Sequence, residues 1–295
     1  MRIDAHQHFW LPERVHVEWM DGLTGEPARR LIRSVLPSEL QPILAHHRID
    51  RTVLVQVATN DAEAPLLFSL ADAHAFIAGV VTWIDMQAPD FEQRLERLAA
   101  HPKFLGVRPM IENEPDPEWM QRPTVRRAFR VLEERGVCFD FLLKHQQLGA
   151  ALEVLAAYPR LRAVLDHLAK PAIAERMLTP WREQLARASE HPNVYCKLSG
   201  LITEADHERW GDQDIAPYVQ HAVQQFGPRR CMFGSDWPVC TLAGSYDAVV
   251  RALDASIAPL GLASGDIERI YGGTALEFYR LSVPSGAPAS VRCER

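Results

Sequence analysis

Eight short apolar runs alternate with amphipathic segments along this chain of 295 residues. The runs are β-branched or aromatic and nearly continuous, which is expected for parallel strands buried on both faces. They cover residues 1–9, 52–58, 77–85, 104–111, 137–143, 162–167, 194–198 and 230–234. This alternation predicts an α/β fold, a (β/α)8 TIM barrel in a single domain. No G-x-G-x-x-G or P-loop motif follows any run, which argues against an open nucleotide-binding sheet.

Amphipathic segments with the 3.6-residue period of a helix lie between the apolar runs. The clearest of them cover residues 91–98, 125–135, 148–158 and 218–226. Residues 13–36 fall outside the alternation, and a segment of that length after a barrel strand favours a lid or a substrate wall. We expect the barrel to comprise residues 1–281, and the Pro/Ser/Ala-rich residues 282–295 to form a disordered or draped tail.

The composition argues against several classes of function. The formal net charge is −6, so the chain has no surplus of basic groups for obligatory nucleic-acid binding. It has five cysteines and no C-x-x-C motif, which predicts buried free thiols in a reducing compartment. No run of about 18 apolar residues is present, so we expect no membrane span and a cytoplasmic protein. Homo-oligomerisation stays open on the sequence alone.

Two histidines at the end of the first apolar run are matched by an aspartate after the last run. His6 and His8 are separated by one residue, so on a strand their side chains point to the same face. Asp236 follows the apolar run at residues 230–234. In a barrel these strand ends meet at one mouth, so we expect two imidazoles and a carboxylate to converge there. The alternative is a hydrogen-bonded pair of core histidines.

His167, at the end of the sixth run, would complete a set of three imidazoles and one carboxylate with His6, His8 and Asp236. Such a set suits a tetrahedral Zn²⁺ or a related divalent cation. It also works without a metal, if the imidazoles polarise a carbonyl group while Asp236 takes a proton from water. We therefore predict that these four residues are catalytic, and that they are the metal ligands if a cation is bound.

Other side chains at the same strand ends are candidates for substrate binding. Arg108 is suited to holding a carboxylate or a sugar hydroxyl, and Lys197 lies inside an apolar run from which it could reach the mouth. Flat apolar walls for a sugar ring are predicted from three tryptophans, which are Trp10, Trp83 and Trp237. Three further residues are weaker candidates for substrate binding, because ion pairing at the surface accounts for them well enough. They are Glu112, Lys144 and Glu204.

Five of these segments, taken together and in this order, resemble the amidohydrolase superfamily. Within it, they are most similar to the amidohydrolase-2 branch of sugar-lactone and dicarboxylate-lactone hydrolases. The segments are residues 3–10 (IDAHQHFW), 106–109 (GVRP), 165–171 (LDHLAKP), 197–201 (KLSGL) and 233–238 (FGSDWP). The resemblance extends from Ile3 to about Tyr279, which is nearly the whole chain.

The resemblance implies a (β/α)8 barrel that adds water to the carbonyl group of a lactone, such as L-fuconolactone or a similar aldonolactone. It makes His6 and His8 the histidine pair of the first strand, His167 the histidine of the sixth and Asp236 the aspartate of the eighth. The fifth run ends at residues 141–145 (FLLKH) without an obvious bridging lysine before it, so two metals are not expected. Members of this branch use one divalent cation or none, which leaves the metal requirement open.

Three alternatives stay open on the sequence. A metal-dependent decarboxylase would use the same barrel and the same residues, and strict metal dependence with release of CO2 would favour it. A lactonase for dicarboxylate lactones or muconolactones would keep the chemistry and change the substrate. A non-catalytic protein would bind a sugar acid or its lactone without turnover, and the intact acid–base set argues against that function.

Overall fold

The computed structural model describes residues 1–282, so the tail predicted for residues 282–295 lies outside the described residues apart from Ser282. Within residues 1–282, eight parallel strands pair in chain order. They are β1 (Ile3–Gln7), β2 (Arg51–Val55), β3 (Ile77–Thr82), β4 (Phe104–Val107), β5 (Cys138–Phe141), β6 (Arg162–Leu165), β7 (Val194–Leu198) and β8 (Cys231–Phe233). The predicted (β/α)8 barrel is confirmed.

The barrel closes through the segment that follows β8. The backbone N–H of Asp236 donates to the carbonyl of His6 at 2.8 Å, and the N–H of His8 donates to the carbonyl of Trp237 at 2.8 Å. These bonds join the last strand to the first and bring their carboxyl ends to the same mouth. The predicted apolar runs extend past most of the strands because residues beyond the strand ends are also buried, in the loops of that mouth.

Helices pack around the outside of the sheet. Within the described residues they are α1 (Gly25–Leu31), α2 (Pro37–His47), α3 (Glu63–Ala73), α4 (Phe91–Ala99), α5 (Pro123–Arg135), α6 (Leu148–Ala157), α7 (Trp181–Ser189), α8 (Asp212–Phe226), α9 (Tyr246–Ile257), α10 (Ser264–Glu268) and α11 (Thr274–Phe278). The four amphipathic segments predicted from the sequence lie in α4, α5, α6 and α8. Helix α8 begins six residues earlier than predicted, where Asp212 and Asp214 favour a helix N-terminus.

The apolar core has two parts. Ile3, Val55, Val81 and Val164 project from different strands and contact each other inside the barrel, where Phe278 of α11 packs against them. A larger cluster fills the space between the strands and the helices. The barrel interior is therefore a packed core, and polar side chains concentrate at the mouth.

Two further observations concern the cysteines and the helices of the described residues. Cys138, Cys196, Cys231 and Cys240 are buried free thiols, while Cys293 lies beyond the described residues. None of the helices in residues 1–282 is both long and apolar enough to cross a bilayer.

A single phenylalanine of α5 tests the outer layer of the core. Phe129 is fully buried, and its ring centroid lies 5.0 Å from that of Phe139 on β5. We expect Phe129→Ala to lower the free energy of unfolding by about 3–5 kcal/mol, because it leaves a cavity against the sheet. Urea unfolding followed by circular dichroism measures this. Arg130→Ala, an exposed position on the same helix, should change it by less than about 0.5 kcal/mol. Equal effects of the two substitutions would contradict the packing described here.

Candidate active site

His6 and His8 come together at the end of β1. Their Nε2 atoms lie 3.2 Å apart, and both residues are buried. The register of β1 against β2 is irregular between Asp4 and Gln7, and irregularities of this kind re-aim side chains beside active sites. The structure thus brings the two imidazoles together, as their spacing in the sequence predicts.

Asp236 lies among the three imidazoles. Its Oδ1 atom is 3.1 Å from Nε2 of His8, 3.7 Å from Nε2 of His6 and 3.9 Å from Nε2 of His167. Asp236 and His167 both have positive φ angles, 57° and 53°, which are unfavourable for residues with a Cβ atom. Such strained residues cluster at functional sites, where the surrounding structure holds them in place.

A left-handed turn presents His167 to the site. All four residues from 167 to 170 have positive φ angles. Nδ1 of His167 lies 2.9 Å from the hydroxyl oxygen of Ser199. A Cβ atom on Gly200 would lie 2.4 Å from that same Nδ1, and Gly200 itself has a φ of +63°. Glycine is therefore required at position 200 for the imidazole to occupy this place.

Burial determines the ionisation of the site. Desolvation is the main cause that lowers the pKa of His6, His8 and His167, so neutral imidazoles are favoured near pH 7. Burial alone would raise the pKa of Asp236, but its contacts with His167 and His8 outweigh this and hold the pKa below its usual range. The site therefore contains a carboxylate surrounded by imidazoles.

Hydrogen-bond partners decide which ring nitrogens of the first two histidines carry hydrogen. Nδ1 of His8 lies 2.8 Å from the carbonyl oxygen of Val55, which only accepts, so His8 donates from Nδ1. Nδ1 of His6 lies 3.1 Å from the ammonium group of Lys197, which only donates, so neutral His6 carries its hydrogen on Nε2. Nε2 of His8 lies 3.2 Å from Nε2 of His6 and 3.1 Å from Oδ1 of Asp236, so it accepts from His6 when His8 is neutral and donates to Asp236 when His8 is protonated.

Lys197 lies beneath His6 rather than at the mouth. It is fully buried, and its Nζ atom is 2.5 Å from Oδ2 of Asp140 and 3.0 Å from Oδ1 of Asp166. Tyr279 donates to the same oxygen of Asp140 at 2.7 Å. The structure therefore places Lys197 against His6 and two carboxylates, and away from the cavity where the sequence led us to expect it.

The sequence analysis missed two members of this buried network. Asp140 is the charged residue of β5, whose neighbours are all apolar, and that exception was the available signal. Burial raises its pKa to about 6, although the neighbouring Lys197 opposes the rise. Tyr279 follows the last helix, and its role gave no sequence signal because it depends on how α11 packs under the barrel.

A cavity of about 330 Å³ opens beside the catalytic set, a size within the range of small-molecule sites. His8, His167, Asp236 and Arg108 line it, whereas His6 lies behind them. Arg108 is buried, donates to the carbonyl of Gln56, and lies 3.4 Å from a carboxylate oxygen of Asp166. A fixed cation therefore borders the cavity, as the sequence predicts for Arg108.

Four tryptophans near the mouth divide into two that line a cavity and two that are buried. Trp19, from the long segment after β1, lines the cavity and a neighbouring one of about 290 Å³. Trp83 lines this second cavity. Trp10 and Trp237 are buried and line neither of the two. Trp19 therefore forms part of the wall predicted from residues 13–36. Of the three tryptophans predicted to line the pocket, Trp10 and Trp237 pack in the core instead.

Two of the three weaker candidates from the sequence also belong to the mouth. Glu112 and Lys144 line the catalytic cavity together with Lys170. Nζ of Lys170 lies 2.5 Å from Oε2 of Glu112 and 3.7 Å from Oε1 of Glu204. Glu112 is therefore ion-paired, as expected, but it lines the cavity and its side chain is only 12% exposed. Its partner, Lys170, is the last residue of the left-handed turn. No sequence pattern predicts this turn.

The catalytic set has the composition of a site for one divalent cation. One ligand atom from each of His6, His167 and Asp236 lies within 4.8 Å of the others, and imidazole nitrogens with a carboxylate oxygen suit zinc. Ligation by Nε2 of His6 would require its hydrogen to move to Nδ1, where the carboxylate of Asp166 is 3.5 Å away. These donors fit a cation once that hydrogen has moved.

Comparison with known proteins shows the family to which the chain is similar. The chain matches the Amidohydrolase family over residues 3–281. It is 36% identical over 296 residues to L-fucono-1,5-lactonase of Burkholderia ambifaria, with 97% of each chain covered. It is 34% identical to L-fucono-1,5-lactonase of Burkholderia multivorans, over 97% of this chain and 98% of that one.

A solved structure extends the likeness to the whole fold. The crystal structure of an amidohydrolase from Burkholderia multivorans with bound zinc aligns with a TM-score of 0.87 at 34% identity. The alignment covers 96% of this chain and 100% of that one. With the family match over nearly its full length, this chain belongs to the amidohydrolase family.

Proposed function

We propose that this protein hydrolyses a sugar lactone to the sugar acid, with L-fucono-1,5-lactone or a similar aldonolactone as substrate. The observation that carries the proposal is the convergence of Asp236, His8, His167 and Arg108 on one cavity of small-molecule size. The two Burkholderia relatives, which are 34–36% identical over nearly the whole chain, carry the name of this activity.

Arg108 and His167 are the groups we assign to the carbonyl oxygen of the lactone. Attack on the carbonyl carbon transfers negative charge to that oxygen, and donors already in place stabilise it in a water-excluded site. Arg108 supplies a buried cation that Asp166 and the carbonyl of Gln56 hold in position. His6 lies behind the cavity, so its part in the proposal is to orient His8 through their 3.2 Å contact.

Asp236 is the proton acceptor in this proposal. The carboxylate takes a proton from water while the water oxygen forms a bond to the carbonyl carbon. The tetrahedral intermediate then collapses, the bond between the carbonyl carbon and the ring oxygen breaks, and Asp236 returns its proton to that oxygen. One water is consumed, and one carboxylic acid and one hydroxyl group are formed. The acid ionises at neutral pH, so turnover releases a proton.

The finer proposal for the cofactor is that His6, His8, His167 and Asp236 would hold a divalent cation, with zinc favoured by the donor set. A bound zinc ion would supply Lewis-acid polarisation of the carbonyl group. The zinc-bound relative supports such a site. Against a strict requirement, Lys197 keeps the hydrogen of His6 on Nε2, and Arg108 already provides a cation at the cavity.

The first test removes the proton acceptor. Asp236→Asn should lower kcat for L-fucono-1,5-lactone by about 100-fold or more, because the amide cannot take a proton from water. A proton-release assay with a pH indicator measures the rate. The matched control is Asp247→Asn, whose side chain is 69% exposed on α9 and should leave kcat unchanged. Near-normal turnover by the folded Asp236→Asn variant would refute the assignment of the base.

The second test concerns metal. We expect the chelator-treated enzyme to retain at least about half of its kcat, because Arg108 and His167 remain to polarise the carbonyl group. The assay compares enzyme dialysed against a chelator with enzyme given one equivalent of zinc, with metal content measured by atomic absorption. Loss of activity on chelation and recovery with zinc would instead show that turnover requires the metal.

A further inference from the structure

One ionic cluster at the mouth has no part in the hydrolysis just described. Lys170 lies between Glu112 and Glu204, with its Nζ atom 2.5 Å from Oε2 of the former and 3.7 Å from Oε1 of the latter. Lys170 and Glu112 line the same cavity as Asp236 and His167. Their side chains are 21% and 12% exposed, so the remaining exposed part is open to a ligand in that cavity.

Three separate loops hold the cluster against the catalytic groups. Glu112 follows β4 in a single turn of 3-10 helix, and Glu204 follows β7. Lys170 ends the left-handed turn that begins with His167. The turn therefore carries a catalytic imidazole at its first position and the ammonium group at its last, so a molecule bound at one is close to the other. An unfavourable backbone conformation over four residues is maintained at this place.

The chemistry of the cluster selects a type of ligand. An ammonium group donates hydrogen bonds and carboxylates accept them, whereas a hydroxyl group does both. Two neighbouring hydroxyls can therefore bind side by side, one accepting from Lys170 and the other donating to Glu112. Arg108 and Lys144 also line this cavity, so its formal charge is not negative and recognition at the cluster depends on hydrogen bonding.

We propose that Lys170 and Glu112, with Glu204 as a second partner of Lys170, form a binding site for adjacent hydroxyl groups of a polyhydroxylated lactone. The inference rests on the proposed lactonase function and narrows it. The ester group lies at Asp236, Arg108 and His167, and the hydroxyl-bearing carbons lie towards Lys170.

Two lactones that differ in their hydroxyl groups test the site. L-fucono-1,5-lactone and δ-valerolactone have the same six-membered ester ring, and the latter has no hydroxyl groups. Lys170→Met should lower kcat/KM for L-fucono-1,5-lactone by about 30-fold, mainly by raising KM, since hydrogen bonds to charged groups are lost. Its kcat/KM for δ-valerolactone should change by less than about threefold. Glu112→Gln should give the same pattern with a smaller loss of about tenfold.

A matched control exists on the outer surface of the barrel. Arg135 on α5 also lies between two glutamates, which belong to α4. Its Nη2 atom is 2.9 Å from Oε1 of Glu96 and 3.4 Å from Oε2 of Glu92. Arg135→Met breaks an equivalent cluster away from the mouth and should leave both lactones unaffected. Thermal melting of each variant shows that it is folded. Equal losses on both lactones with Lys170→Met, or no loss on either, would overturn the proposed hydroxyl site.

Binding without turnover separates this site from the proposed function. Calorimetry with L-fucono-1,5-lactone in the Asp236→Asn background should show a Kd that Lys170→Met weakens by about 30-fold. Lys170-dependent binding by a wild-type protein that hydrolyses no lactone would support the hydroxyl site and contradict the lactonase function. Binding that Lys170→Met leaves unchanged would overturn the hydroxyl site even if turnover is observed.

Discussion

A single buried ammonium group, that of Lys197, determines the polar architecture at the mouth of the barrel. A buried charge is strongly unfavourable unless it is paired and hydrogen-bonded. Asp140 on β5 and Asp166, which follows β6, compensate Lys197, and Tyr279 donates to Asp140 from below. The same ammonium group holds Nδ1 of His6 as an acceptor. The protonation of the first catalytic histidine therefore depends on a charge that the cavity does not contact.

The second organising element is the left-handed turn at residues 167–170. This backbone conformation is unfavourable for residues with a Cβ atom, so the turn costs stability. In return it places His167 and Lys170 at the mouth. Ser199 and the absence of a side chain at Gly200 accommodate His167. Lys170 is held at the other end by Glu112. Reaction chemistry and substrate recognition are thus coupled through one short segment, which explains how a small cavity can serve both.

Much of the site was predictable because a parallel barrel brings all strand ends to one place. His8, His167, Asp236 and Arg108 follow strands and His6 is the next-to-last residue of β1, so knowing the fold was enough to group them. Lys197 sits within a strand, and the sequence could not show whether it rises to the cavity or pairs below it. Trp10 and Trp237 are equally ambiguous, because a tryptophan beside a catalytic residue packs in the core as readily as it lines a pocket.

The sequence by itself determined the barrel and the composition of its candidate catalytic set, because apolar periodicity and the residues at strand ends are local properties of the chain. The tertiary structure alone decided the partners of Lys197, the hydrogen on Nε2 of His6 and the meeting of Lys170 with Glu112. Each of these depends on distances between segments far apart in the chain, or on a backbone conformation that propensity disfavours. Such pairings arise only once the barrel has closed and burial has made every unpaired charge unfavourable.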